Sequence, residues 1–310
     1  MVINFSTIKK IDSDVADGIC IDWVMNNVCN YKCSYCSPSL NNGSFSTKNY
    51  DTIINFFVDL ANRVNGDKFL ILTGGEPTLW PPLINFINEL GQDYFIKIVT
   101  NGSRSLRYFK KLAMCKNIYQ VGISVHLEYA DIQHISDVVK ILGEHVEVNV
   151  DILADINNFT KIDKWFNMAD TQKLKCDMIC KPIRLQDGGS QDYTIDQKGK
   201  IKIQKYINAK KAPKLNIPLH LKINGELVKY KDAHNIITSK NHSFNGWKCN
   251  IGKQRLVIWY NGDIYGAQCN TARNNKLGNI YSSYSFLSHA VICEDDFCMC
   301  LPDIRIAKNV

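Results

Sequence analysis

The run Ile19-Cys-Ile-Asp-Trp-Val-Met25, followed by Asn26-Asn-Val28 and then Cys29-Asn-Tyr-Lys-Cys33-Ser-Tyr-Cys36, decides how the rest of the chain is read. A short, largely apolar and β-branched segment ends in a stretch that carries three thiols within eight residues. Pro38, Asn41, Asn42 and Gly43 follow it, so the cysteines belong to a loop after a strand. Further strand-like runs lie at Lys68 to Leu72, Phe95 to Val99, Ile118 to Val125, Val146 to Leu153 and Asp177 to Leu185. Most are continuous rather than alternating, as in parallel strands covered on both faces.

Helical spacing fills the gaps, with legible ends. Ser46 is a candidate cap for a helix carrying Ile53, Ile54, Phe57 and Leu60. Pro81 and Pro82 open another, running through Leu83, Phe86, Ile87 and Leu90 to Gly91, and Ile132, Ile135, Val139 and Leu142 precede Gly143. Six strands with five helices between them predict an α/β fold, a partial (β/α)6 TIM-like barrel. Six units do not close the eight-stranded form, and its chemistry belongs on loops at the carboxyl ends of the strands.

Composition agrees with a folded enzyme-sized protein: 310 residues, 45% hydrophobic and 22% charged, which excludes disordered and collagen-like classes. No run approaches the roughly 18 apolar residues of a membrane span, and Met1 to Asp12 lacks a secretory apolar core, so the expected location is cytoplasmic. In that compartment twelve cysteines point to metal or redox use more than to disulfides. The net charge of +7 resides between Asp187 and Lys248, where twelve Lys face five Asp or Glu. Such a segment is either a solvated surface or an attractor of anions. From about Asp187 the pattern changes to hairpin signals at Asn224-Gly225 and Asn261-Gly262. The expected domains are therefore 1–186 for the barrel, 187–246 for a basic insert that helps cover a substrate pocket, and 247–310 for a carboxyl-terminal extension.

Three thiolates suit a four-iron, four-sulfur cluster with one iron left open, whereas structural zinc wants a fourth ligand that the local sequence lacks. The Cys29-x3-Cys33-x2-Cys36 spacing, with Tyr35 before the last cysteine, resembles the signature of the radical S-adenosylmethionine (radical SAM) superfamily. That resemblance implies a [4Fe-4S] cluster on Cys29, Cys33 and Cys36 whose open iron chelates SAM. Reductive cleavage of SAM then yields a 5′-deoxyadenosyl radical that abstracts hydrogen from substrate. Thr73-Gly74-Gly75-Glu76-Pro77 after the second strand resembles the superfamily's loop for the SAM ammonium, the glycines allowing close approach and Glu76 supplying counter-charge. Thr100 and Asn101 after the third strand are placed near SAM in the same way. Ser124 and His126 share a strand face, as do Asn149 and Asp151. Ser124 and Asn149 are candidates for SAM, and His126 and Asp151 for the substrate end. Arg184 is a candidate for the SAM carboxylate or an acidic substrate. A thiol pointing into the pocket, Cys180 or Cys115, would return hydrogen and make the product an epimer.

Cys249 and Cys269 bracket the Asn261-Gly262 hairpin, and Cys293-x4-Cys298-x-Cys300 follows. Four thiols converging there compose a closed metal site, for iron-sulfur or zinc. The arrangement resembles the twitch or truncated SPASM extension, a β-hairpin plus helix that holds one auxiliary iron-sulfur cluster, [4Fe-4S] by that resemblance. The ending departs from the commoner C-x2-C, so Cys298 and Cys300 are preferred over Cys293 as the last ligands. The resemblance implies a radical SAM oxidoreductase that dehydrogenates a small, anionic or sugar-linked substrate such as a nucleotide-sugar. An auxiliary cluster takes up the electron, and flavodoxin or ferredoxin serves as donor. Trp80 and the cysteine ending resemble superfamily members found beside surface-polysaccharide genes, which favours the sugar. The alternatives are a peptide-modifying (RiPP) enzyme or epimerase and, from another class, a non-catalytic metal-braced nucleic-acid-binding protein. Membrane partners are not expected.

Overall fold

The computed structural model describes residues 8–13, 18–44, 49–154, 159–183, 221–228, 236, 241–298 and 300–310. In chain order these form β1 (Lys10–Ser13), β2 (Ile19–Val24), α1 (Pro38–Asn41), α2 (Tyr50–Arg63), β3 (Lys68–Thr73), α3 (Leu83–Glu89), β4 (Tyr94–Thr100), α4 (Leu106–Leu112), β5 (Ile118–His126), α5 (Ile132–Leu142), β6 (Glu147–Ala154), α6 (Phe159–Thr171) and β7 (Asp177–Pro182). There follow β8 (Leu221–Ile223), β9 (Glu226–Val228), β10 (Lys248–Cys249), β11 (Arg255–Ile258), β12 (Asp263–Tyr265), α7 (Asn270–Asn274), β13 (Gly278–Asn279), β14 (Val291–Ile292), α8 (Leu301–Ile304) and β15 (Lys308–Asn309). The six expected barrel strands are β2 to β7. Ser46, Arg184 and the helical reading of Thr194 to Lys211 lie outside the described residues, and α2 begins after Asn49, which adopts φ 56°. No helix among the described residues is long and apolar enough to cross a membrane.

Two compact units divide the chain: Met1–Trp23, Asn49–Leu70 and Asn216–Val310 in one, Val24–Lys48 and Ile71–Leu215 in the other. In the second, the end of β3 is followed in the sheet by β4, β5, β6 and β7, the last four mutually parallel. Register puts Val99, Gly122, Asn149 and Asp177 in one row and Ser124, Asp151 and Ile179 in the next. The strands were expected to be buried alike on both faces; they are not. Ile96, Ile98, Val121, Ile123, Val125, Val148, Val150 and Ile152 are fully buried. The alternate residues Lys97, Ser124, His126, Glu147, Asn149 and Asp151 are only half-buried, because one face lies under helices and the other carries polar groups. Ile135, Val138, Val139 and Leu142 of α5 help to cover the first face, each contributing about 2 kcal/mol by burial. Asp131 closes the start of α5 by accepting from the His134 N–H at 2.7 Å.

In the first unit β11 pairs in parallel with β2 and antiparallel with β12. A second sheet has the order β14-β10-β15-β1-β8-β9. Asn224 and Gly225 have φ of 51° and 89°, the two left-handed residues of a tight turn between β8 and β9. The Asn261-Gly262 pair instead ends a four-residue turn, closed where the Gly262 N–H donates to the Trp259 carbonyl at 2.7 Å.

Arg255 is buried at the start of β11 between two carboxylates. It donates to Asp22 on β2, and its Nε lies 2.9 Å from Asp303 Oδ1, close but not aligned as a hydrogen bond. Replacing one member of such a group leaves buried charge without compensation. Arg255→Met is expected to lower unfolding free energy by about 4 kcal/mol in urea titrations. Lys175→Met, which breaks the exposed pair with Glu144, is expected to change it by less than about 1 kcal/mol.

Candidate active site

The cysteine loop leaves β2 and is fastened by backbone crossing. Met25 N–H donates to the Thr73 carbonyl, Gly75 N–H to Asn26 and Glu76 N–H to Val28, at 2.7–2.8 Å. The approach is so close that a Cβ on Gly75 would stand 2.3 Å from the Val28 carbonyl oxygen, and one on Gly74 2.6 Å from that of Asn26. Both glycines therefore serve the chain's own packing, whatever they do for a ligand. Asn27, with no exposed surface, donates to Asn42 at 2.7 Å and to Ser44 and the Ser39 carbonyl, and so ties the far end of the loop back to its start.

Glu76 is 1% exposed. Its Oε1 accepts from Thr78 N–H at 3.0 Å, Thr78 Oγ1 at 2.6 Å and Thr100 Oγ1 at 2.7 Å, and its Oε2 from Asn101 N–H at 2.6 Å. Burial pushes this carboxyl up from its ordinary range, and the hydrogen bonds oppose the shift. Expected as a counter-charge for a ligand, the carboxylate is occupied by four protein donors and has one Oε2 lone pair to spare. Asn101 Nδ2 in turn reaches Asn30 at 3.0 Å and Cys29 Sγ at 3.9 Å, and Asn30 bonds Ser103 at 2.9 Å. Thr100 and Asn101 thus hold the cysteine loop.

The loop after β5 grips the other side. Glu128 accepts from the Ser34 backbone N–H at 3.0 Å and from the Ser34 hydroxyl, Tyr129 donates to the Lys32 carbonyl at 2.9 Å, and Tyr31 stacks on Tyr129. His126, expected at the substrate end, is stacked on Tyr35 with Nδ1 2.8 Å from its hydroxyl. Burial depresses its pKa to about 4, so at neutral pH the ring is uncharged and shares a hydrogen bond with the Tyr35 hydroxyl. Asp151 pairs with Lys181. Asn149 Oδ1 is buried without a hydrogen-bond partner on the same face as Asp151 and Ser124. Cys180 is in register with Ile152 on the helix-covered face, 2% exposed, and Cys115 turns its thiol toward the Lys111 carbonyl at the end of α4. Neither lies with the polar face that carries Asn149 and Asp151, so the hydrogen-donor role expected for Cys180 or Cys115 is not supported. Asn26, Asn27, Ser34, Glu128 and Tyr129 were not singled out by sequence, because their partners are remote or backbone atoms without a motif.

The carboxyl-terminal thiols sit in the first unit. Cys249 and Cys269 share one apolar cluster with Ile251, Ala272 and Ile306; Cys293 and Cys298 share another with Phe244 and Ile304. Cys269 precedes α7, whose first N–H groups donate to Asp295. Cys300 caps α8. Cys249 adds to the rise at Cys269, both add to the rise at Cys298, and Cys293 adds to that at Cys249, whereas the charged neighbours of Cys300 are Asp303, Arg255 and Asp22. Burial pushes Cys269 and Cys300 up to about 12.

Gly75→Ala is expected to cost about 3 kcal/mol in urea unfolding, because the crossing strand has no side chain to move aside. In the metal-free chain His126 contributes stability while neutral. Its folded pKa lies below the unfolded value, so the unfolded state takes the proton first and stability falls as pH drops from about 6.5 to about 4. His126→Gln should remove that part of the slope, read from unfolding midpoints at pH 7 and 4.5.

Residues 23–168 match the radical SAM superfamily model. A GTP 3′,8-cyclase of Pasteurella multocida (strain Pm70) is 25% identical over 211 residues, 60% of this chain and 59% of that protein. An S-adenosylmethionine-dependent nucleotide dehydratase of Fibrobacter sp. (strain UWH6) is 33% identical over 117 residues, 34% of this chain and 33% of that protein. The chain thus spans less than two thirds of either relative. Among solved structures, hexahistidine-tagged anSMEcpe with bound AdoMet superposes with a TM-score of 0.56 at 17% identity over 86% of this chain and 79% of that one. Streptococcus suis SuiB bound to precursor peptide SuiA gives 0.53 at 13% identity over 86% and 63%. These likenesses show an α/β, partial TIM-barrel-like fold. The superfamily implies a [4Fe-4S] cluster and SAM, and the donor set fits. Burial holds Cys33 up to about 12, so a metal is needed to make it a thiolate, and Cys29 Sγ already accepts from Tyr31 N–H at 3.4 Å. Among the described residues no three His, Cys, Asp or Glu close on a single ion; a cluster spreads its ligands over separate irons. Residues 23–168 form a radical SAM superfamily domain.

Proposed function

We propose that the protein reductively cleaves SAM and abstracts hydrogen from a small anionic, sugar-linked substrate of the nucleotide or nucleotide-sugar class, with net oxidation assisted by an auxiliary cluster. The observation that carries the SAM chemistry is the three-thiol loop, held from both sides by Asn101 and Glu128 and with no fourth cysteine in the loop. When bound, cluster and SAM supply the electron and the 5′-deoxyadenosyl radical. The chain's own residues position them. Cys29, Cys33 and Cys36 hold the cluster, and Tyr35, braced by neutral His126, forms a flat wall beside it. The backbone of Gly74 to Pro77 with Thr100 and Asn101 borders the SAM side, and Ser124 and Asn149 offer polar groups deeper on the same sheet face. Arg184 remains a candidate for the carboxylate.

Two things support the substrate class: both curated relatives act on nucleotides by name, and the polar face of the sheet carries half-buried Lys97 and exposed Lys181, the latter paired with Asp151. A peptide substrate is the alternative. For the auxiliary cluster, Cys249, Cys269 and Cys298 are proposed ligands. The fourth comes from Cys293, beside Cys249, or Cys300, at the start of α8. The cluster is proposed as the acceptor of the substrate electron.

Anaerobic reconstitution with iron and sulfide, then SAM and dithionite, is expected to yield 5′-deoxyadenosine, with Cys33→Ala abolishing it. Nucleoside triphosphates or nucleotide-sugars should raise the yield more than unstructured peptides do. No 5′-deoxyadenosine from a chain with full iron would defeat the assignment, and stimulation by peptides alone would replace the substrate class.

A further inference from the structure

Lys308 is 4% exposed, on β15 near the carboxyl end of the chain. Its three ammonium hydrogens are all used, donating to the carbonyls of Asp303 at 2.9 Å, Ile304 at 2.8 Å and Ile306 at 2.8 Å, and the ammonium sits 5.0 Å from the Phe244 ring centre. Every one of those partners is neutral. Among the described residues no carboxylate touches it directly; the nearby Asp303 carboxylate, which the Lys308 charge helps to keep ionised, is also held by Arg255 at 2.9 Å and by the Gln268 N–H at 3.0 Å. A buried cation held directly only by neutral acceptors is costly, and its field acts strongly on the groups beside it.

Among those groups are carboxyl-terminal thiols. In the antiparallel pairing of β10 with β15, Lys308 stands directly opposite Cys249, so the two side chains share a face. Its charge also pulls the Cys249 and Cys298 thiols toward the anionic form, against a larger effect of burial. Arg255 and Lys308 together balance Asp22 and Asp303, so thiolates formed on metal binding add negative charge that the Lys308 cation faces across the ladder.

We infer that Lys308 is the charge partner of the carboxyl-terminal cysteine cluster and sets its reduction potential. The inference rests on the auxiliary-cluster reading. One-electron reduction adds one negative charge to a thiolate-held cluster without a proton, and a fixed cation across the ladder from one ligand favours the reduced form. A purely structural role, bracing the end of α8 through the three carbonyls, is the competing account, and it depends on hydrogen bonds and not on charge.

The test uses the full-length chain carrying Cys29→Ala, Cys33→Ala and Cys36→Ala, so that only the second cluster is observed. Iron and sulfide are counted after anaerobic reconstitution, and the midpoint potential is read by dithionite titration followed by electron paramagnetic resonance. In that background Lys308→Gln keeps amide donors for the carbonyls and removes the charge, while Lys308→Arg keeps the charge. The expected result is full iron in both. The reduction equilibrium should shift against the reduced form by about tenfold or more in Lys308→Gln, about 59 mV for one electron, and by less than about threefold in Lys308→Arg. Loss of iron in Lys308→Gln but not in Lys308→Arg would also support the charge role. An unchanged potential in a fully loaded Lys308→Gln, or loss of iron in both variants, would overturn it. Absence of iron from the chain that retains Lys308 would instead defeat the auxiliary-cluster reading, and the inference with it.

Discussion

The cysteine loop is held in shape by one buried carboxylate. Glu76 gathers donors from its own turn and from the end of β4, so that two strand ends become one surface, and Asn101 passes that fixation on to Cys29. Hydrogen bonds to a charged acceptor are worth about 2 kcal/mol each and oppose, without cancelling, the cost of dehydrating the carboxylate. The close crossing of Gly74 and Gly75 over residues 25–28 makes the arrangement possible, since any side chain there would separate the two backbones. A loop with three thiols and little secondary structure of its own acquires a defined form only because its neighbours are rigid.

The opposite wall follows the same logic with aromatic groups. His126 ends β5 and is kept neutral by burial, so it can hydrogen-bond Tyr35 without bringing a charge beside the thiols. Glu128 and Tyr129 fasten the loop's backbone at Ser34 and Lys32. The polar half-buried face below, with Ser124, Asn149, Asp151 and Lys181, stays open to water on the side that helices do not cover. That division of the sheet into a sealed and a wet face is what gives a barrel of this kind room for a substrate.

In the other unit, buried charge is balanced in two different ways. Arg255 has two carboxylates in contact, whereas Lys308 has three carbonyls and a thiol directly across the ladder. The contrast gives the carboxyl-terminal cysteines an electrostatic setting as well as a covalent one.

Much of this was legible in the order of residues. Apolar β-branched runs and helix ends such as Pro82 and Gly143 are local signals, and they sufficed for β2 to β7 and the helices between them. The three-thiol spacing and the Gly-Gly-Glu-Pro loop are likewise short patterns that carry their chemistry in one dimension. Other features were not legible, because they depend on which distant residues meet. The sequence could not show that Glu76 is spent on Thr78, Thr100 and Asn101, that His126 belongs to Tyr35, that Cys180 faces the helices, or that β1 pairs with β15 and β8. Strand alternation tells that two residues share a face but not which face is covered, and a charged residue's partner is set by three-dimensional neighbours. Residue order therefore decided the elements and the thiol spacing of the first loop. Tertiary packing alone decided the orientation of each polar side chain and the charge balance around the buried sulfurs, because electrostatics and steric exclusion act through space and not along the chain.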